Sequence, residues 1–372
     1  MAERSPSLSI PYVDLAAQHA AERETLLPKL QAVLARGEWV GGEEIAAFEH
    51  KAAAFCGVEH AIAVASGTDA LMLSLRALGI GPGDEVITPP NSFVATTAAI
   101  ALVGATPVFA DVRADQNIDP EAVERAVTPR TRALLPVHLT GRMADMRALS
   151  EIARRHDLRI IEDAAQAIGS RLGDRAAGSF GDLGCFSAHP LKNLNAMGDA
   201  GYVVTNDGKL ADRLRRLRNN GLVDRNTVLE WGTVSRLDTL QATVLLHRLE
   251  GLPAVIAARR ENARLYCERL NRVAVFIPPD QPDEFNTFHT FVIQVDRRDD
   301  LKAHLAAHGV GSAIHYPVPI HLQPAARALG HRVGDFPEAE RQAGRVLSLP
   351  VHPFLKPSDV LRVAELINGF FA

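Results

Sequence analysis

Cysteine is scarce in this chain. Only Cys56, Cys185 and Cys267 occur, an odd number without a short paired spacing, which argues against a disulfide framework and against a thiolate zinc site. No apolar run approaches the roughly 18 residues of a membrane-crossing helix, and Met1 to Pro11 shows no basic region followed by an apolar stretch. Neither export nor a membrane span is therefore expected, and a reducing cytoplasm is the expected compartment. Excess charge of one sign is missing too: 40 Lys and Arg face 44 Asp and Glu. No global field draws the chain to nucleic acid or an anionic membrane, so any anion must be bound by a local site. Internal repeats and low-complexity tracts are absent, which sets aside solenoids and disordered tails.

What remains is 372 residues, 47% hydrophobic, enough for one large and one smaller domain. Short β-rich runs alternate with helical patterns from about Ala61 to Leu217, the rhythm of a parallel sheet wrapped by helices. Seven strands are expected, at Ala61–Ala65, Glu85–Thr88, Thr106–Ala110, Ala133–Val137, Arg159–Glu162, Gly184–Ser187 and Gly201–Thr205. Asp119 before Pro120 reads as an N-cap followed by a first-turn proline, starting a helix that runs to about Val127. After Leu249 the texture changes to a charged helix, Ala254–Leu270, then a strand, Thr290–Val295, a helix, Asp299–His308, and a proline-rich stretch from His315. The expected division is a large domain over residues 1–250 and a small C-terminal α/β domain over 251–372.

Three local signals carry chemistry. Ser66-Gly67-Thr68-Asp69 closes a strand and opens a helix expected at Ala70–Leu78, where free backbone donors and a helix dipole could cradle a phosphate. Small-residue turns of this kind also occur in many α/β proteins without a ligand. Ile160-Ile161-Glu162-Asp163 delivers a carboxylate to the carboxyl end of a strand, the edge at which such sheets bind ligands. That acid could equally be a metal ligand or a helix cap, and Gln166, one helical turn on, adds a polar group on the same side. Finally, Ser187-Ala188-His189-Pro190-Leu191-Lys192-Asn193-Leu194 holds a lysine in a tight, small-residue loop. Desolvation there would lower the amine's pKa and make it a nucleophile. Phosphate cradle, acid and amine together are what a pyridoxal phosphate site requires.

At these residues the sequence resembles the DegT/DnrJ/EryC1/StrS family of fold-type I pyridoxal-phosphate-dependent nucleotide-sugar aminotransferases. The likeness takes in Ala65–Leu71, Gly81–Ile87, Glu162–Gln166, the lysine loop, Ser235–Asp238 and Ile314–Pro317. It implies an α/β fold whose large domain carries a mainly parallel seven-stranded sheet. Pyridoxal 5'-phosphate would be held covalently by Lys192, which also shuttles the proton, while Asp163 pairs with the pyridine nitrogen. Gly67 and Thr68 would donate to the phosphate, Gln166 and Ser187 would contact the ring oxygen and phosphate, and Phe93 would stack on the ring rather than fill the core. His315 and Tyr316 resemble the substrate-side segment, although packing would explain them equally well.

The resemblance further implies a homodimer with its active site at the subunit boundary, and L-glutamate as donor to a nucleotide-linked keto-sugar. The opening Ile10–Leu15 resembles enzymes that aminate C3 rather than C4. A sugar dehydratase, a cyclitol aminotransferase and a cofactor-binding regulator are the alternatives. Dehydratase relatives carry histidine where Lys192 stands, and neither a helix-turn-helix nor a lost lysine marks a regulator here. Three departures bear on the site. Val234 stands where relatives carry an asparagine that reaches the neighbouring subunit's cofactor phosphate, Ala200 where glycine is usual, and Thr140 where an aromatic often follows His138-Leu139.

Other patterns are discounted. Gly79, Gly81 and Gly83 follow a helix and precede a strand, the reverse of a dinucleotide turn. His304 and His308 share a helical face but lack a third ligand, so no metal site is expected. Arg213, Arg215, Arg216 and Arg218 read as a solvated face rather than a nucleic-acid surface.

Overall fold

In a parallel sheet covered on both faces the strand centres must be apolar, and Val86-Ile87, Ile160-Ile161 and Val203-Val204 meet that demand, with polar residues at the strand ends. A computed structural model describes residues 9–372. The expectation that no leader precedes the fold, and the assignment of residues 1–8 to the large domain, lie outside the described residues. The strands are β1 (His60–Val64), β2 (Glu85–Thr88), β3 (Thr106–Phe109), β4 (Thr131–Leu134), β5 (Arg159–Asp163), β6 (Leu183–Ser187) and β7 (Gly201–Thr205). Their order is β1-β7-β6-β5-β4-β2-β3. Only β7 runs antiparallel to its neighbours, β1 and β6, so the sheet is mainly parallel, as expected, and the carboxyl ends of β1, β5 and β6 share one edge. In register, Ser187 and Val64 both pair with Gly201, while Cys185 pairs with Asp163.

One face of the sheet packs on a core that includes Phe48, Met146, Leu149, Leu245 and Leu252, the other on Leu71, Leu75, Ile100 and Leu214. Helix Pro120–Ala126 begins as read, with the Asp119 carboxylate accepting from the amide of Glu121 at 3.2 Å. No helix among the described residues is long and apolar enough to cross a membrane.

Two expectations are corrected. The charged helix does not start at Ala254: α8 runs unbroken over Thr239–Arg269, straight through Pro253. Proline removes one backbone donor, but Leu249, Leu252 and Ile256 continue the buried stripe across it, and that packing outweighs the missing bond. The arginines on the helix Gly208–Leu217 and its cap are also not a solvated face. Arg213 and Arg216 pair with Glu230 and Arg218 with Glu49, so carboxylates distant in sequence use these three as ties, while Arg215 pairs with Asp212 on its own helix.

Beyond α8, β8 (Phe291–Gln294) pairs antiparallel with β9 (Val346–Leu349). Helices Arg298–Ala307 and Pro357–Phe371 close a further core around Tyr266, Phe291, Leu301 and Ile367. Ile10 belongs to this core and exchanges backbone hydrogen bonds with Gly309 and Gly311 at 3.0 and 2.8 Å. Along α8, Ile256 packs with the sheet and Ala263 with the second core. We therefore propose that the two domains meet inside this helix, with the N-terminal segment contributing to the smaller one.

Candidate active site

The elements that end on the shared strand edge enclose a cavity of about 330 Å³. At the end of β1, Ser66 leaves the strand in an extended conformation and caps α3 (Gly67–Ala77), its Oγ accepting from the amide of Asp69 at 3.1 Å. The helix thus starts three residues earlier than the sequence pattern indicated. Ser66 is committed to the cap, and the amides of Gly67 and Thr68 keep no partner within the described chain. Unspent N–H groups at a helix N-terminus attract anions. Ser235 braces the turn from outside, accepting from the amide of Ala65 at 3.2 Å and donating to Asp69 at 2.9 Å. At Gly67 the approach of β6 leaves no room for a side chain, since a Cβ there would stand 2.7 Å from that of Ser187. Ser187 is thereby pressed against the cradle.

Glu162 and Asp163 are successive residues of β5, so their side chains leave opposite faces of the strand. Asp163 lines the cavity and Glu162 is locked behind it. Both oxygens of Glu162 are saturated: amides of Gly178, Phe180 and Gly181 donate at 2.9, 2.6 and 2.7 Å, and His138 Nε2 lies at 2.8 Å. The amide of Ala144 donates to His138 Nδ1 at 3.2 Å, which makes Nε2 the protonated nitrogen of a neutral ring. Asp163 accepts from the Thr96 hydroxyl at 2.8 Å and the Ala165 amide at 3.2 Å. Burial raises its pKa, opposed by Thr96, Ala165 and the charge of Lys192.

Lys192 sits in the loop joining β6 to β7, pinned by its amide to the carbonyl of His189 at 2.8 Å. Bonds from Ala188 to the carbonyl of Ala200 and from Ala196 to that of Ala188, at 2.8 and 2.7 Å, close the loop. Burial lowers the pKa of the lysine to about 8, against the pull of Asp163. The structure therefore places a lysine of weakened basicity, a carboxylate and a helix N-terminus on one cavity.

Gln166 lies in a turn after β5 rather than one helical turn along, because the chain does not become helical there. Its side chain nevertheless lines the cavity, accepting from the amide of Thr140 at 2.7 Å and donating to the Tyr316 hydroxyl at 3.0 Å. Both partners have left-handed backbones, with φ of 65° at Thr140 and 60° at Tyr316, conformations that cost energy for residues with a Cβ and hold only where surroundings fix them. Phe93 is 56% exposed and its ring lies 6.1 Å from that of Tyr316 across the cavity mouth, so core filling is not its role. His315 bonds through Nδ1 to Ser348 Oγ at 2.7 Å, and burial with the Lys192 charge lowers its pKa to about 4. Val234 lies away from this cavity, 60% exposed and bridged to Asn219. Ala200 is buried beside the lysine loop.

Sequence reasoning missed Tyr12, Thr96, Arg259 and His289, which also line the cavity. One signal was available for Arg259. It follows Ile256 by three residues and precedes Ala263 by four, on the buried stripe of α8, where a cation is out of place.

The chain's matches among known proteins agree with this geometry. Residues 20–368 match the model of the DegT/DnrJ/EryC1/StrS aminotransferase family. A dTDP-3-amino-3,4,6-trideoxy-alpha-D-glucose transaminase of Streptomyces venezuelae is 44% identical over 99% of this chain and 98% of its own length. A UDP-N-acetyl-3-dehydro-alpha-D-glucosamine 3-aminotransferase of Acidithiobacillus ferrooxidans is 44% identical over 97% of each. Among solved structures, S. venezuelae DesV in complex with a ketimine intermediate superposes with a TM-score of 0.95 at 44% identity, covering 98% of both chains.

Proposed function

The chain belongs to the DegT/DnrJ/EryC1/StrS aminotransferase family, and from that premise we propose that it transfers an amino group from L-glutamate to the 3-keto carbon of a nucleotide-linked deoxysugar. The observation that carries this reading is the joint presentation of Lys192 and Asp163 to one cavity beside the free amides of Gly67 and Thr68. The choice of C3 rests on the two relatives at 44% identity, both named for 3-amino sugars.

Pyridoxal 5'-phosphate fits the residues present. Its phosphate would lie on Gly67, Thr68 and Ser187, its pyridine nitrogen on Asp163, its ring oxygen near Gln166, one ring face on Phe93, and its aldehyde carbon on Lys192. When bound, the cofactor supplies an electron sink for breaking and making a C–H bond beside nitrogen. Asp163, whose charged form Thr96 and Ala165 favour against burial, would hold a proton on the pyridine nitrogen. Lys192, once its Nζ is free, takes a proton from the donor's α-carbon and in the second half-reaction delivers one to the former keto carbon of the sugar. His315 is neutral at physiological pH and, with Tyr316, offers uncharged hydrogen-bonding groups to a sugar.

The same proposal includes a homodimer. Trp231, 85% exposed, lies with exposed Leu229 and Val234 on one loop, and exposed Trp39 and Val40 join that region through a bond from the Thr239 amide to the Trp39 carbonyl and a bridge to Asp238. An apolar patch of this kind supports burial against a second copy.

The test supplies purified, cofactor-loaded protein with L-glutamate and 3-keto or 4-keto nucleotide sugars and follows 2-oxoglutarate and aminosugar by mass spectrometry. Lys192→Ala should form neither. If no amino donor yields its keto acid with the native protein, the reading fails.

A further inference from the structure

A buried guanidinium with no counter-ion needs an explanation, because an uncompensated charge taken out of water is among the costliest features a fold can carry. Arg259 is 7% exposed, and none of its nitrogens forms an ion pair among the described residues. Nη1 donates to the carbonyls of Phe288 and His289 at 3.2 and 3.1 Å, while Nε is buried without a partner and Nη2 makes no bond within the described chain. The unspent groups are not scattered. Nε–H and Nη2–H form the side-on edge of the guanidinium, the fork that matches the two oxygens of a carboxylate. The two carbonyls fix the plane of the group from the opposite side.

Nearby groups do not neutralise it. Burial pushes the Tyr12 phenol up to about 12 and the guanidinium down to about 10, so at neutral pH the phenol is uncharged and the arginine is a cation. Burial, with the charges of Lys192 and Arg259, lowers the pKa of His289, and its Nδ1 too is buried without a partner. Arg259 and Lys192 both line the cavity of about 330 Å³ and a second cavity of about 350 Å³. The free amides of the α3 N-terminus, suited to the cofactor's phosphate, line the same cavity from a different element.

We infer that Arg259 receives a carboxylate of the amino-acid donor through its Nε/Nη2 edge, with His289 as a second donor, and so selects a carboxylate-bearing amine for the first half-reaction. The inference rests on the transamination proposed above and adds to it a residue and a ligand chemistry. Lys192 and Arg259 are the cations lining this cavity and Asp163 and Asp199 its acids; Arg259, the cation without an ion pair, gives a carboxylate a reason to enter that a neutral amine lacks.

The experiment uses the cofactor-loaded protein and glutarate, a dicarboxylate with no amino group to react, titrated by calorimetry. Arg259→Met should bind glutarate at least about tenfold more weakly, as expected for loss of a charge-assisted pair. Arg259→Lys, which keeps the charge but loses the fork, should fall between. The KM for L-glutamate should rise in parallel while the KM for the keto-sugar stays within about twofold, a split that a merely structural role would not produce. Melting temperature and cofactor content identify a variant that is simply misfolded. Should Arg259→Met fold poorly, a crystal of the native protein with glutarate decides, since a carboxylate lying elsewhere in the cavity overturns the inference. So does a folded Arg259→Met protein that binds glutarate normally, or one that instead loses affinity for a nucleoside diphosphate. If glutamate converts native and Arg259→Met proteins with the same KM, transamination stands and this inference falls. If no amino acid converts the native protein, the inference falls with the reading beneath it.

Discussion

The hydroxyl of Thr96 donates to Oδ2 of Asp163 at 2.8 Å, and this bond favours the charged form of the carboxylate on which the pyridine nitrogen would rest. Burial alone favours the neutral acid; Thr96, the Ala165 amide and Lys192 oppose it. Thr96→Val keeps the side-chain shape and removes one donor. A hydrogen bond to a charged acceptor contributes about 1.5–3 kcal/mol, so the Asp163 pKa should rise further. Cofactor affinity, measured by equilibrium dialysis across pH, should then fall first on the acid side, with its acid limb displaced to higher pH. An unshifted limb would mean that Ala165 and Lys192 suffice.

Behind Asp163, the carboxylate of Glu162 anchors the 178–181 turn and His138 without reaching the cavity. In Glu162→Gln an amide NH2 must face either two backbone N–H groups or the donors at Gly178 and His138. Loss of about 3 kcal/mol of folding stability or more is expected, as for other buried charged networks that lose one partner. Chemical denaturation checks the size, and cofactor content of the surviving folded fraction should stay near native. If Glu162→Gln unfolds at the native denaturant midpoint, the network is dispensable.

The sheet was legible because a strand covered on both faces must be apolar at its centre, so each of the seven runs announced itself within three residues of its observed limits. The long helix was not, since Pro253 and the charged residues beyond it read as a break, and only packing on the two cores carries the helix through. Lys192, Asp163 and Gly67 could be found because each stands in a local pattern that serves a chemistry. Thr96 and His289 stand in ordinary helical or loop text and Arg259 is marked only by its place on a buried stripe, so their meaning depends on contacts separated by 67 residues for Thr96 with Asp163 and 30 for Arg259 with the His289 carbonyl. Arg213, Arg216 and Arg218 were misread for the same reason: Glu230 and Glu49, which pair them, are not their helical neighbours.

At Gly67 the consequence of close approach can be measured. Gly67→Ala places a Cβ 2.7 Å from the Cβ of Ser187, a distance that forces the strand end and the helix start apart. A stability cost of about 1–3 kcal/mol is expected, together with weaker cofactor retention, because the amides of residues 67 and 68 move with the backbone. Combining it with Ser187→Gly removes the obstructing carbon, so the double variant should recover most of the stability, with a coupling between the two sites of about 1 kcal/mol or more. Strictly additive effects would show that the crowding is relieved elsewhere.

The depressed pKa of Lys192 predicts when the protein can take up its cofactor. An amine attacks an aldehyde only as the free base, and in an ordinary lysine that form becomes dominant above about 10.4. Desolvation brings the value to about 8 here, so the rate of covalent cofactor attachment to apoprotein should rise about tenfold per pH unit below that value and level off above it. Rapid mixing of apoprotein with pyridoxal phosphate, followed by borohydride reduction and mass analysis of the trapped lysine, gives that profile. The effect has a direction that can be tested further with Asp163→Asn. Asp163 raises the lysine pKa, so the neutral substitution should move the inflection below about 8, while weakening the cofactor's hold on the ring nitrogen. An inflection near 10 in the native protein would mean that the amine is solvated before the cofactor arrives, and that burial does not activate it. An inflection that ignores Asp163→Asn would instead remove the electrostatic link between the two residues on which the proposed chemistry depends.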